Sequence, residues 1–160
     1  MVKPILIIDT REKIPWDFDG DDAFEDIVYE KLDVGDYSIR GLEHVVAIER
    51  KVGPDELFNN FGKKASKDRI LAEFERMEDH LVKIMVIEAS CETMMNPQAY
   101  YIVKKRRTRL KDHQVPAIVM SNLTEVMLDY DIPIIFAGDK AQSIARAILL
   151  KAWKLYKHNV

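Results

Sequence analysis

The chain has 160 residues, 48% of them hydrophobic, which suits one domain around one core and is short for two. Its 24 basic and 27 acidic residues give a formal net charge of -3, so no uniformly basic surface advertises a polyanionic partner, and only local clusters could meet one. A single cysteine, Cys91, and four scattered histidines exclude a disulfide framework and a cysteine-rich zinc site, and a soluble protein in a reducing, cytoplasmic setting is expected.

Met1 to Pro4 lead into Ile5 to Ile8, an apolar run too short for a signal peptide or a membrane span, and no membrane partner is expected. The run reads as a buried strand that delivers Asp9 at its C-terminal end. Pro15 to Asp22 carries a proline, a glycine and four aspartates around Trp16 and Phe18, and is predicted as a loop pinned by two aromatic anchors. Ile27 to Leu32 is a predicted short strand. Tyr37 to Arg40 and Val45 to Lys51, separated by Gly41 to His44, form a predicted hairpin with a four-residue turn. Gly53-Pro54 stops it.

A short helix is predicted from Pro54 to Phe61, and an amphipathic one from Ser66 to His80, with Ile70, Leu71, Phe74 and Met77 at helical spacing. Ile84 to Ile87 reads as another buried strand, ending in Glu88. Glu92 to Pro116 is irregular and is expected as a long loop or a partly helical excursion. A helix from Ala117 to Leu128, a strand from Pro133 to Phe136 and a helix from Lys140 to Tyr156 complete the chain, the last introduced by Gly138-Asp139 as stop and N-cap. Met94, Met95, Trp153 and Tyr156 are expected to pack rather than bind. The closing alternation of strand and helix implies parallel crossovers, hence an α/β fold in a single domain over residues 1–160.

A strand alternates its faces, so Glu49 and Lys51 share one side and Arg50 takes the other. In the predicted hairpin the start of the first strand lies beside the end of the second, which brings Asp36 to Glu49 and Lys51. Two adjacent carboxylates repel unless a cation lies between them. Magnesium fits, because one or two carboxylates, a backbone carbonyl and waters satisfy it. Such a cation polarises a phosphate and supplies hydroxide near neutral pH, while Lys51 would position the water or offset transition-state charge. Asp9 is a candidate third acidic ligand, though a turn or capping role also suits it. Arg11 is a candidate phosphate clamp.

The words Gly35-Asp36, then Glu49-Arg50-Lys51, three residues, and Asp55 resemble the XPF-type nuclease domain, in its compact bacterial and phage form. Ile8-Asp9-Thr10-Arg11-Glu12 is similar to that family's first strand and its Asp-x-Arg-Glu signature. The likeness is marked from Ile5 to about Glu88 and is one of pattern beyond. It implies a restriction-endonuclease-like fold, a central mixed sheet flanked by helices, and magnesium- or manganese-dependent cutting of DNA, with a taste for flaps and forks in repair, recombination or replication. It implies that Asp36 and Glu49 bind metal, that Lys51 assists the water, and that Asp9, Arg11, Arg50 and Asp55 complete the site. For Arg50, alternation favours equally a supporting role that bridges to Asp55 or to backbone.

No tandem helix-hairpin-helix module is expected after the domain, so duplex binding falls to the domain itself, to a homodimer or to a partner protein. The candidate DNA contacts are Lys63, Lys64, Lys67, Arg69 and the basic run Lys104, Lys105, Arg106 and Arg107, with Tyr100 and Tyr101 as stacking platforms. The run also reads as a plain solvated surface. Two other functions stay open: a non-catalytic DNA-binding or scaffolding module of the same fold, and a junction resolvase or exonuclease with the same chemistry. The intact acidic motifs favour catalysis.

Overall fold

The computed structural model describes residues 2–101 and 110–159. The strands are β1 Ile5–Asp9, β2 Asp26–Glu30, β3 Tyr37–Ile39, β4 Val46–Lys51, β5 Val82–Ile87 and β6 Ile134–Phe136, in one sheet of order β2-β1-β3-β4-β5-β6. β1 pairs with β2, β4 with β5, and β5 with β6 in parallel, while β3 is antiparallel to both β1 and β4. Every strand but β3 therefore runs the same way. Their C-terminal ends and the start of β3 lie along one edge, where open α/β sheets form ligand sites.

Leu6 to Asp9, Val46 to Glu49 and Met85 to Ile87 are buried without a break, the pattern of strands covered on both faces. The covering helices are α1 Pro54–Phe61, α2 Lys64–Arg76, the short α3 Cys91–Met95, α4 Gln114–Asp129 and α5 Ala141–Tyr156. On one face α1, α2 and α4 bury Leu57, Phe58, Ile70, Phe74, Val119 and Leu123 with Ala47, Met85 and Ile87 of the sheet. On the other, α5 buries Ala141, Ala145, Leu149 and Ala152 with Leu6, Ile8, Tyr37 and Ile48, and the loop residues Trp16 and Phe18 close that core. Ala47 and Ile48 thus serve opposite cores, which sets the alternation that the rest of β4 must follow.

The expected mixed sheet flanked by helices is present, with local departures. β2 ends at Glu30, because the Leu32 N–H donates to Asp9 Oδ2 at 2.7 Å and the Leu32 side chain drops into the interior. α4 begins at Gln114 instead of Ala117, since Pro116 sits within its first turn, where a missing N–H breaks no helical bond. Asp139 does not cap α5: Gly138–Lys140 form a single 3-10 turn, Lys140 takes the cap position, and the Asp139 carboxylate meets the Lys140 ammonium at 3.0 Å. Met94 is buried as expected, whereas Met95 is exposed. Among the described residues no helix is long and apolar enough to cross a membrane.

Candidate active site

The site starts from Gly35, whose φ is +72° and whose missing Cβ would stand 3.1 Å from the Ile48 carbonyl oxygen and 3.3 Å from the Ala47 Cβ. Only glycine allows both the left-handed turn and that close approach to β4. The turn hands Asp36 to the sheet edge, where its N–H donates to Ile48 O at 2.8 Å and its carbonyl accepts the Asp9 N–H at 2.8 Å. Its side chain is fixed as well, because the Arg50 N–H donates to Asp36 Oδ2 at 2.7 Å. The pairing of Tyr37 with Ile48 then brings Asp36 opposite Glu49, as the hairpin reading required.

Glu49 is 3% exposed and Lys51 7%, both on the α1 and α2 side of β4. The Lys51 ammonium donates to Glu49 Oε1 at 2.5 Å and stands 3.5 Å from Glu56 Oε1. Glu49 Oε2 is buried and has no hydrogen-bond partner. A carboxylate oxygen with nothing to accept, in a site this enclosed, is an expensive arrangement to retain.

Electrostatics follow from that crowding. Burial pushes the Asp36 carboxyl well above its usual range, the Glu49 charge adds to it, and Lys51 and the Arg50 N–H only partly oppose them. Burial likewise raises Glu49; Lys51 opposes this, and the charges of Glu73 and Glu56 add to it. Burial disfavours charge on Lys51 too, but Glu49, Glu56 and Asp36 together hold its ammonium above the ordinary lysine value. The result is a pair of carboxylates short of positive charge.

Arg50 faces away, as alternation demands. Its guanidinium reaches Glu88 at 2.9 and 3.1 Å, Glu12 at 2.8 Å and the Ile14 carbonyl at 2.8 Å, and lies 5.3 Å from the centre of the Trp16 ring. Trp16 also donates its indole N–H to Glu88 and stacks on Tyr37 at 4.6 Å. Of the two supporting roles expected, the side-chain bridge runs to Glu12 and Glu88 and not to Asp55, and the bond to the Ile14 carbonyl supplies the backbone contact. Asp55 itself stands in the first turn of α1 and lines a cleft of about 620 Å³ with Glu56, Asn60 and Arg69.

Asp9, expected as a third acidic ligand, is bonded through its carboxylate to Arg11 and Leu32. Its carboxylate is fully buried and both oxygens are taken, Oδ1 by the Arg11 N–H and Nε at 2.7 Å, Oδ2 by Leu32 N–H at 2.7 Å and an Arg11 terminal nitrogen at 3.1 Å. Burial opposes its charge, but these bonds outweigh burial and hold its carboxyl below the ordinary value. Asp9 is thus the anchor of Arg11, whose side chain stays 54% exposed at the edge of the site.

The expected DNA contacts divide. Lys63, Lys64 and Arg69 are exposed around the start of α2, while Lys67 is committed to Glu125 of α4 at 2.7 Å. Tyr100 cannot stack on a base: it is 1% exposed, its hydroxyl donates to Met94 O at 2.7 Å, and burial pushes its phenol up to about 12. Tyr101 is 68% exposed. Lys104, Lys105, Arg106 and Arg107 lie outside the described residues.

Glu56 and Glu73 escaped the sequence reading. Glu56 sits in the acidic first turn of α1, where a charge looks sufficiently explained by the helix dipole, and Glu73 stands on the polar flank of an amphipathic helix. A divalent cation suits what is present, since Asp36 and Glu49 have raised proton affinity and Glu49 Oε2 lacks a partner. Among the described residues no three acidic, histidine or cysteine side chains form a complete cage. Magnesium tolerates this, because it keeps several waters.

Among curated proteins no sequence match was found. The fold is similar to XPF from Aeropyrum pernix solved in complex with DNA, at a TM-score of 0.63 and 15% identity, with 95% of this chain and 66% of that one covered. It is also similar to a second structure of XPF from Aeropyrum pernix, at a TM-score of 0.59 and 15% identity over 91% of this chain and 64% of that one. The chain therefore spans just under two thirds of the length of both, and shares with them the restriction-endonuclease-like fold. The model of the ERCC4 domain matches residues 8–146, a span that holds Asp9, Asp36 and the whole of Glu49 to Asp55, and the chain belongs to the ERCC4 domain family.

Proposed function

We propose that this domain is a divalent-metal-dependent DNA endonuclease that hydrolyses a phosphodiester bond, with magnesium as its cofactor, manganese able to substitute, and branched DNA such as a flap or fork as its substrate. The observation that carries the reading is Asp36 set opposite a buried Glu49 with one oxygen unpartnered and Lys51 on the same face, in a chain of the ERCC4 domain family. The DNA present in one similar Aeropyrum pernix structure supports a DNA substrate.

Asp36 and Glu49 would hold the cation with help from a backbone carbonyl. When bound, it polarises the scissile phosphate and lowers the pKa of a water. Lys51 has three N–H donors and no acceptor, so its part is to orient the attacking water and offset charge on the phosphate rather than to take a proton. Arg11, braced by Asp9, presents a planar cation to a flanking phosphate. Asp55 borders the adjoining cleft from the first turn of α1. Arg50 acts at a distance from the substrate, tying the end of β4 to Glu88 and Glu12.

Lys63, Lys64, Arg69 and Tyr101, with the basic run from Lys104 to Arg107, are the candidates for gripping DNA, and neutralising that run should flatten the salt dependence of binding. The test is cleavage of labelled single-stranded, duplex, flap, fork and four-way DNA with magnesium or manganese. The expected order puts flap or fork first. Failure to cut any of the five in either metal would sink the assignment.

A further inference from the structure

Glu56 touches the site from a different element. It stands in the first turn of α1, five residues beyond Lys51, and its two oxygens do separate things. Oε2 accepts the Val52 N–H at 2.7 Å, which ties α1 back to the end of β4. Oε1 lies 3.5 Å from the Lys51 ammonium, which Glu49 Oε1 holds at 2.5 Å. Lys51 is therefore shared by two carboxylates, one 4% exposed and the other 38%.

A buried ammonium on a flexible four-carbon stem needs more than one fixed partner to keep a single position. Glu49 alone serves badly, because its unpartnered Oε2 marks it for a second positive charge, and a cation there would weaken the hold of Oε1 on Lys51. The second partner must be anionic, within reach, and rigid. Glu56 meets all three conditions, since its carboxylate lies 3.5 Å from the ammonium, Pro54 starts its helix, and the Val52 N–H pins its other oxygen.

We propose that Glu56 is a positioning residue for Lys51: it keeps the ammonium on the reaction side of β4 when Glu49 engages a cation, and sets its direction toward the cleft. The inference rests on the catalytic reading of Lys51 given above. It also predicts that a substitution preserving the Val52 bond while removing the charge separates positioning from folding. Glu56→Gln does this, because the amide oxygen still accepts the Val52 N–H; Glu56→Ala removes both contacts.

The experiment uses the full chain with lysines labelled by nitrogen-15, and follows the Lys51 ammonium resonance, assigned by its absence in Lys51→Arg. A held, buried ammonium exchanges slowly and gives a resolved signal. In Glu56→Gln that signal should broaden or shift while the melting temperature stays at the wild-type value; in Glu56→Ala both should change. Flap cleavage by Glu56→Gln should slow by roughly ten- to a hundredfold in single-turnover rate, with DNA affinity and manganese affinity held within about twofold of wild type, as expected of a group that neither binds metal nor grips DNA. An unchanged Lys51 resonance in Glu56→Gln overturns the proposal. So does an unchanged cleavage rate beside a slowed Lys51→Ala enzyme. If Lys51→Ala itself cleaves at full rate, the catalytic reading of Lys51 fails instead, and the resonance alone then decides whether Glu56 holds it.

Discussion

Arg50 Nε lies 2.9 Å from Glu88 Oε1, across 38 residues of sequence, on the face of β4 opposite Glu49 and Lys51. One strand thus offers its acid and its lysine to one side and its arginine to the other. The arginine side is set apart from that acid and lysine. It carries a fastener, in which Glu12, Glu88, the Ile14 carbonyl and Trp16 converge on a guanidinium only 10% exposed.

Removing that guanidinium leaves two poorly hydrated carboxylates facing each other. Arg50→Ala is expected to lower stability by about 2–4 kcal/mol, read as the shift in urea midpoint. Cation affinity should fall far less than in Asp36→Ala. A variant as stable as wild type would contradict the fastener role.

Asp9 and Asp36 are joined by a backbone hydrogen bond of 2.8 Å, yet their carboxylates act on stability with opposite sign. Asp9 is held below its ordinary value, so its contribution is present above the unfolded-state value of 3.8 and lost as pH falls through the folded one. Asp9→Asn should therefore melt below wild type at pH 7, and the two should converge in acid. Equal melting points at pH 7 would contradict this.

Asp36 is held above its ordinary value, so it favours the fold only below the unfolded-state value of 3.8, and that contribution is lost as pH rises through the folded one. Without metal, Asp36→Asn should melt about 2–4 °C higher than wild type at pH 7, roughly 1 kcal/mol. The gain should vanish at pH 3. Added magnesium should stabilise wild type and leave the variant unmoved. A destabilised Asp36→Asn at neutral pH would show that the carboxylate is a structural group.

Gly35→Ala forces a Cβ to within 3.1 Å of the Ile48 carbonyl at a φ of +72°. A loss of about 2 kcal/mol is expected, with weakened cation binding because Asp36 is displaced. Normal stability with normal binding would show that the turn tolerates a side chain.

Much of the architecture was legible because its signals are local. Continuous apolar runs gave β1 and β5, Gly53-Pro54 gave the break after β4 and the start of α1, and alternation gave the opposed faces of Glu49 and Arg50. The convergence of Asp36 with Glu49 was legible too, since a hairpin register follows from its turn. What failed to show were choices made by long-range packing. Asp9 ends one buried strand and Glu88 follows another, and nothing in either segment says that Asp9 closes on Arg11 and Leu32 while Glu88 closes on Arg50 and Trp16. Tyr100 and Tyr101 are chemically equal neighbours, and only the packing of α3 against α4 puts the first inside and the second outside. Glu56 and Glu73 reach the site through helix placement, which has no motif.

If Asp36 and Glu49 hold the cation that enables cleavage, a manganese titration in the presence of a labelled flap DNA reads both functions at once. Bound manganese and product formation are followed in the same samples for wild type, Asp36→Ala and Glu49→Ala. Wild type should bind manganese and cut in proportion to it, while both variants should lose at least roughly a hundredfold in rate together with the bound ion. Cleavage that survives either substitution, or manganese bound undiminished by both, would show that the cation is held elsewhere.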